Sequence, residues 1–517
     1  MSHRNRREVL RDVGQGMFLA SLGSAVASDL GLTRAWAEDA SDHLTFGDLD
    51  PLVHFIHETP PDKLLPKVVD KLKAGTDLKQ LVAAAALANA QAFGGEDYVG
   101  FHTLMALVPA YYMSVAERDP AKKPLAVLKV LYRNATRLSE VGQAKAEVLH
   151  PVKPSTDGAG PNGASLRDLV RKADTAAAER LFARQCQGAP VEALDHLMEM
   201  VDDTTEVHRV VLVSRAWELL DFVGQDRAHT MLRQSVRYCT KAEKNGNNAK
   251  YSREIRALLP KLMDQYKLDS KPLGKRTVDD AWVTKMAETI FRGTTSQAAE
   301  AAAGALAEGI HPDAVGQAIA LAANELTLRD NGRKPGQTSP HKGVGSCHGD
   351  SIGVHACDSA LAWQTIAKAG GSRTTMSSLV LGAYQVARDR GTSGEFFTWK
   401  PYPRPEHVEK VQAIAPEKLL TELGGAVREN DQGRAAAIAS RIDEHQAAEA
   451  FALLRGFAVS EDGALHAEKY YRTTSFEYGD ARPGHRTRQL VALARVSASA
   501  YGFAAPGISE ARSLLKV

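Results

Sequence analysis

Four times along this chain an acidic residue is followed, five positions on, by a histidine that opens an alanine- and leucine-rich amphipathic segment. The pairs are Asp97–His102, Asp203–His208, Asp350–His355 and Glu461–His466. Each follows two segments whose apolar residues recur at the helical period, and each leads into a further one. No convincing alternating strand pattern interrupts them. Helices of this kind cannot bury their apolar stripes alone, so they must stack or close on one another. The expected fold is all-α: four related units of about four helices each, forming a helical array or toroid.

The breakers divide the chain. Unit one, residues 45–150, is expected to hold helices at 62–73, 78–93, 98–114 and 124–138. Unit two, 165–245, holds 175–187, 191–201, 205–223 and 227–239. Unit three, 275–392, holds 297–309, 312–329, 351–368 and 372–388, with an inserted loop at 330–349. Unit four, 405–517, holds 433–443, 446–459, 462–474 and 486–501. Gly75, Gly188, Gly309 and Gly391 fall where helices should stop. Pro- and Gly-rich stretches at 150–163, 271–274 and 400–405 read as stiff connectors. The unit length exceeds the tetratricopeptide and ankyrin periods, so a larger four-helix unit is preferred to a standard solenoid. Lys and Arg total 64 against 62 acids, and this balance argues against nucleic acid or an anionic membrane as the main partner.

The first 37 residues read as a leader rather than part of the fold. A twin arginine, Arg6-Arg7, precedes a diluted apolar run, which is followed by the small-x-small triplet Ala35-Trp36-Ala37. The segment resembles a twin-arginine export signal, with Asn5 where the consensus has Ser or Thr. That resemblance implies a bacterial protein folded in the cytoplasm and exported to the periplasm, often with its cofactor inside. The apolar run is too weak for a membrane span, and no integral span is expected in the mature chain. Of four cysteines, Cys347 and Cys357 are the local candidates for a bridge, though connectivity is not readable from spacing.

The candidate chemistry lies in the repeated histidines. His102, His208, His355 and His466, with Asp350, are the expected catalytic residues if the units bring them to one interior cleft. The upstream acids can cap the following helix, or accept a proton from imidazole and fix its tautomer. Neutral imidazoles are good ligands for Fe, Cu or Zn and capable general bases. An imidazole at a helix N-terminus also keeps a lone pair free, because the helix dipole opposes its cation. The densest local cluster, Cys347-His348-Gly349-Asp350 through His355 and Cys357, makes His348 and His355 candidate metal ligands. It lacks the paired Cys-x-x-Cys spacing of a structural zinc site. Trp217, Trp363 and the tyrosine pairs Tyr111-Tyr112 and Tyr470-Tyr471 read as core, and Pro483-Gly484-His485 reads as a loop. No dinucleotide fingerprint, Walker loop, nucleophile elbow or haem attachment motif is present.

Gly100-Phe101-His102-Thr103-Leu104-Met105 and Gly353-Val354-His355-Ala356, each leading into an apolar helix, resemble the questin oxidase-like family. That resemblance implies an all-helical oxidoreductase acting on a polycyclic aromatic or similar apolar compound. Two features depart from it: those enzymes work where NADPH is available, whereas the leader implies export, and no nicotinamide-binding fingerprint is visible. The leading expectation is therefore an exported oxidoreductase acting on an apolar or aromatic small molecule in a histidine-lined cleft. The rivals are a non-catalytic helical-repeat protein that binds a ligand or partner, and a metal-dependent hydrolase.

Overall fold

The structure, a computed structural model, describes residues 43–517 except 143–146, 157–161 and 247–248. The leader lies outside the described residues. The described chain is all-helical, with no strand beyond isolated bridges.

Local signals set the helix limits. The first four helices of interest are α1 (Pro61–Lys73), α2 (Leu78–Phe93), α3 (Tyr98–Ala116) and α4 (Leu125–Val141). Asp77 and Gln80 form a capping box at the start of α2, and Gly94 ends it in the left-handed conformation. Asp97 then caps α3 by accepting from the Gly100 N–H at 2.7 Å. The next four are α5 (Thr175–Gln185), α6 (Pro190–Val201), α7 (Val207–Val223) and α8 (Ala228–Lys244). They are followed by α9 (Thr295–Ala307), α10 (Pro312–Arg329), α11 (Ile352–Ala369) and α12 (Ser372–Arg390). The last four are α13 (Gln432–Ala439), α14 (Glu444–Ser460), α15 (His466–Asp480) and α16 (Pro483–Ala500).

Two sequence expectations need correction. Pro483-Gly484-His485 is the first turn of α16, not a loop: proline at the first helical position gives up an N–H that has no intrahelical partner there anyway. Cys347 and Cys357 are not bridged, and all four cysteines are free and buried. Cys347 Sγ instead donates to Gln432 Oε1 at 3.1 Å, while Cys357 Sγ lies 3.5 Å from Thr327 Oγ1. Seven further helices lie outside the sixteen: Asp50–Glu58, Gly163–Arg171, Ala249–Gln265, Asp280–Arg292, Pro405–Val411, Leu419–Arg428 and Ile508–Leu515.

The packing that positions the histidines is a closed circuit. Helix α3 packs on α7, α7 on α11, α11 on α15, and α15 returns to α3. Small residues let these helices approach closely. Gly353 of α11 lies against the Thr327 backbone of α10, where an added Cβ would stand 2.5 Å from Thr327 Cα. Among the described residues α3 alone is long and apolar enough to cross a membrane, yet it is mostly buried within the protein. It is one wall of the central circuit.

Candidate functional site

Each helix of the circuit carries one of the four histidines in its first two turns, and the imidazoles meet. Ring centroids are 4.8 Å apart for His102–His208, 5.8 Å for His208–His355, 5.2 Å for His355–His466 and 5.3 Å for His466–His102. The result is a ring of four imidazoles drawn from four distant stretches of chain. His102 and His466 are buried, whereas His208 and His355 keep a partly exposed edge.

Hydrogen bonds fix three tautomers. His102 Nδ1 lies 2.7 Å from Tyr98 O, and His466 Nδ1 lies 2.9 Å from Ala464 O. A carbonyl oxygen can only accept, so both Nδ1 atoms carry the proton and both Nε2 atoms keep a lone pair. His208 Nδ1 lies 2.7 Å from Glu206 Oε1 and donates to that carboxylate. His355 Nε2 lies 3.2 Å from His466 Nε2. Since the His466 nitrogen is the acceptor, His355 Nε2–H is the donor. The Nε2 atoms of His102 and His208 are buried without a hydrogen-bond partner.

Electrostatics keep the ring neutral. Burial pushes the His102 and His466 imidazoles far below the ordinary histidine value, and the nearby Lys469 charge adds to this. Burial, then His208 and Lys469, lower His355 to about 3. Lys469 lies one turn after His466 on α15, and burial brings its amine down to about 8. Glu206 is held down to about 2: His208 and the Tyr238 hydroxyl, which donates to Oε2 at 2.7 Å, outweigh the cost of its burial. Above the ring, Tyr98 is 60% exposed; its ring centroid lies 4.4 Å from His102 and 5.8 Å from His208. Phe101 stacks beside the same two, at 4.9 and 5.2 Å.

None of the four upstream acids is bonded to its histidine. Asp97 caps α3 and is gripped by Arg137 of α4. Asp203 takes both arms of Arg171, at 2.6 and 2.7 Å. Asp350 is pinned by Arg333 and by Lys342 at 2.8 Å, and these cations hold its carboxyl down at about 2. Glu461 accepts the Gly502 and Phe503 N–H groups at 2.9 and 2.8 Å. The acid that does orient an imidazole is Glu206, two residues before His208.

His348 stands apart from the ring. Its Nδ1 lies 2.9 Å from Ser499 Oγ and its Nε2 lies 3.0 Å from His341 O, so both nitrogens are engaged in fastening the 330–351 segment. Trp363 is core, with Nε1 donating to Gln385 Oε1 at 2.7 Å.

Among the described residues no group of three or more His, Cys, Asp or Glu side chains stands ready as a metal-ion cage. The imidazoles form an open ring in which the His355–His466 nitrogen separation is close to that of two ligands on one ion. With metal–nitrogen distances of about 2.0–2.1 Å, a tetrahedral pair would stand roughly 3.3–3.4 Å apart. Comparisons with protein-family models, curated proteins and solved structures find no match to this chain.

Proposed function

We propose that the four-imidazole ring is a transition-metal centre, and that the protein is an oxidoreductase acting there on an apolar or aromatic small molecule. The observation that carries this reading is the orientation of the nitrogens. Three Nδ1–H groups are tied to fixed acceptors, as metal-ligating histidines usually are. The Nε2 atoms of His102 and His208 are left buried and unpartnered. Leaving a buried acceptor unsatisfied costs about 1–3 kcal/mol each, and an ion would remove that cost. Imidazole nitrogen suits Fe, Cu and Zn. Four protein ligands would close a tetrahedral zinc site, whereas hydrolytic zinc keeps three and an open position. A metal that accepts five or six ligands, such as iron, fits four histidines and a substrate better, and this favours redox chemistry over hydrolysis.

On this reading each of four related helical units contributes one imidazole, and the apolar edge of Tyr98 and Phe101 receives the substrate. The resemblance of the Gly-x-His helix starts to the questin oxidase-like family agrees with it, as does an export route that carries a loaded cofactor. Elemental analysis of the purified protein tests the proposal. The expected result is a stoichiometric redox-active metal that is lost in His355→Ala and His102→Ala while helicity is retained. Stoichiometric zinc would favour the hydrolase. Wild-type protein that is metal-free and cannot be loaded with ferrous or cupric ion would favour a ligand-binding scaffold and end the proposal.

A further inference from the structure

Behind His466 lies a small cavity with about 30 Å³ of room for the centres of water-sized molecules. Its walls are mainly apolar: Val354 at the start of α11, Phe457 and Ala458 of α14, Ala467 of α15, and Leu493 and Val496 of α16. A water needs roughly 10–15 Å³ of such space and two to four polar partners. The volume suffices for one or two small molecules, but the partners are committed elsewhere. Glu461 spends its carboxylate on Gly502, Phe503 and Ser460. His348 is bonded through both nitrogens, and His466 through Nδ1 to Ala464 and Nε2 to His355. The Tyr470 hydroxyl turns toward Thr327 and Cys357. Water placed here would give up hydrogen bonds, whereas a small apolar molecule would give up nothing.

We propose that this cavity is a binding site for a small apolar gas of dioxygen size, held one imidazole away from the four-histidine ring. The assignment of dioxygen rests on the oxidoreductase reading, which needs an electron acceptor and has no nicotinamide fingerprint to supply one. Binding itself makes and breaks no covalent bond. The cavity is bounded by His466, so a guest in it is separated from the ring by no more than that side chain.

Xenon tests the site without requiring turnover. Crystals pressurised with xenon should show a xenon peak between Val354, Leu493 and Val496, and Val496→Phe, which fills the space, should abolish it. Because a larger side chain can overpack the core, Ala458→Val serves as the milder variant and should reduce occupancy. With an oxidisable substrate in hand, Val496→Phe should raise the KM for dioxygen roughly 5- to 10-fold while kcat at saturating gas and metal content stay unchanged. Ordered water in the cavity, or no xenon in the wild-type protein, would overturn the proposal, as would an unchanged dioxygen KM in Val496→Phe. A protein that binds xenon there but carries no metal would keep the gas site and discard the oxidoreductase reading.

Discussion

Glu206 does two jobs at the start of α7: it accepts the Arg209 N–H as a helix cap and holds His208 Nδ1–H. Outer partners of this kind typically change metal affinity by 10–100-fold. Glu206→Ala should therefore weaken metal binding by about that factor, and Glu206→Gln, which keeps an acceptor oxygen, should weaken it less. A competition titration against a chelator measures both, and equal affinities in all three proteins would remove Glu206 from the site. Glu477, at the far end of α15, carries a different consequence. Burial, aided by Asp480, lifts its carboxyl from the ordinary 4.5 to about 7, while Gln364 Nε2 donates to it at 2.8 Å. Between those two values the folded protein holds a proton that the unfolded chain releases. Stability from this group is thus fully present below about 4.5 and is lost as pH rises through about 7. The interval corresponds to roughly 3 kcal/mol at most. Glu477→Gln should be more stable than the parent at pH 8 and show a flatter decline from pH 5, as read by denaturant unfolding. Parallel profiles for the two proteins would show that Glu477 does not titrate this way.

Helix starts were the most legible part of this chain, because caps and breakers are local. The capping box at Asp77, the left-handed Gly94 and the proline opening α10 place helices at limits readable from spacing. The convergence of His102, His208, His355 and His466 was also foreshadowed, since the same column recurs before each apolar helix. What the acids do was not legible. Their partners Arg137, Arg171 and Arg333 come from other segments, and which cation reaches which acid is decided by tertiary packing. Glu206 was overlooked because the repeat drew attention five residues upstream rather than two. Lys469 carried a usable signal, a cation three residues after His466 on the same helix face. His348 read as a ligand because composition alone does not reveal that Ser499 and a carbonyl already occupy its nitrogens. The glycines two residues before His102 and His355 mattered for packing: Gly100 lies against the Phe93 ring and Gly353 against the Thr327 backbone. In an exposed helix, Gly→Ala is stabilising by up to about 1 kcal/mol. Here Gly353→Ala should instead cost about 1–3 kcal/mol, because α11 must back away from α10. His355 moves with it, so metal affinity should fall alongside the unfolding midpoint. A variant as stable as the parent would mean that the helix contact has room to spare.

The four imidazoles tie residues 102, 208, 355 and 466 to one point, and they stand on helices that touch in a closed circuit, α3 to α7 to α11 to α15 and back. Each of these helices is already held from outside by its neighbours: α2 and α4 flank α3, α8 packs on α7, α10 and α12 on α11, and α14 and α16 on α15. The ring is thus assembled by apolar packing before any ion arrives, and its neutral nitrogens wait in a dry setting. An ion that binds the folded protein and not the unfolded chain adds stability by mass action, about 2.7 kcal/mol when its free concentration is a hundred times the dissociation constant. Because the ligands belong to all four helices of the circuit, that stabilisation should reach the whole molecule and shift one cooperative transition. Metal-stripped protein titrated with ferrous ion under anaerobic conditions should show a rising midpoint that follows the logarithm of free metal. His102→Ala should fold and melt near the stripped parent, yet respond little to the metal. A midpoint that rises equally in His102→Ala would place the ion elsewhere, and one that does not rise in the parent would leave the ring as a packing device. The slope against metal concentration also gives the affinity, so one titration measures both the strength of the centre and how much of the fold depends on it.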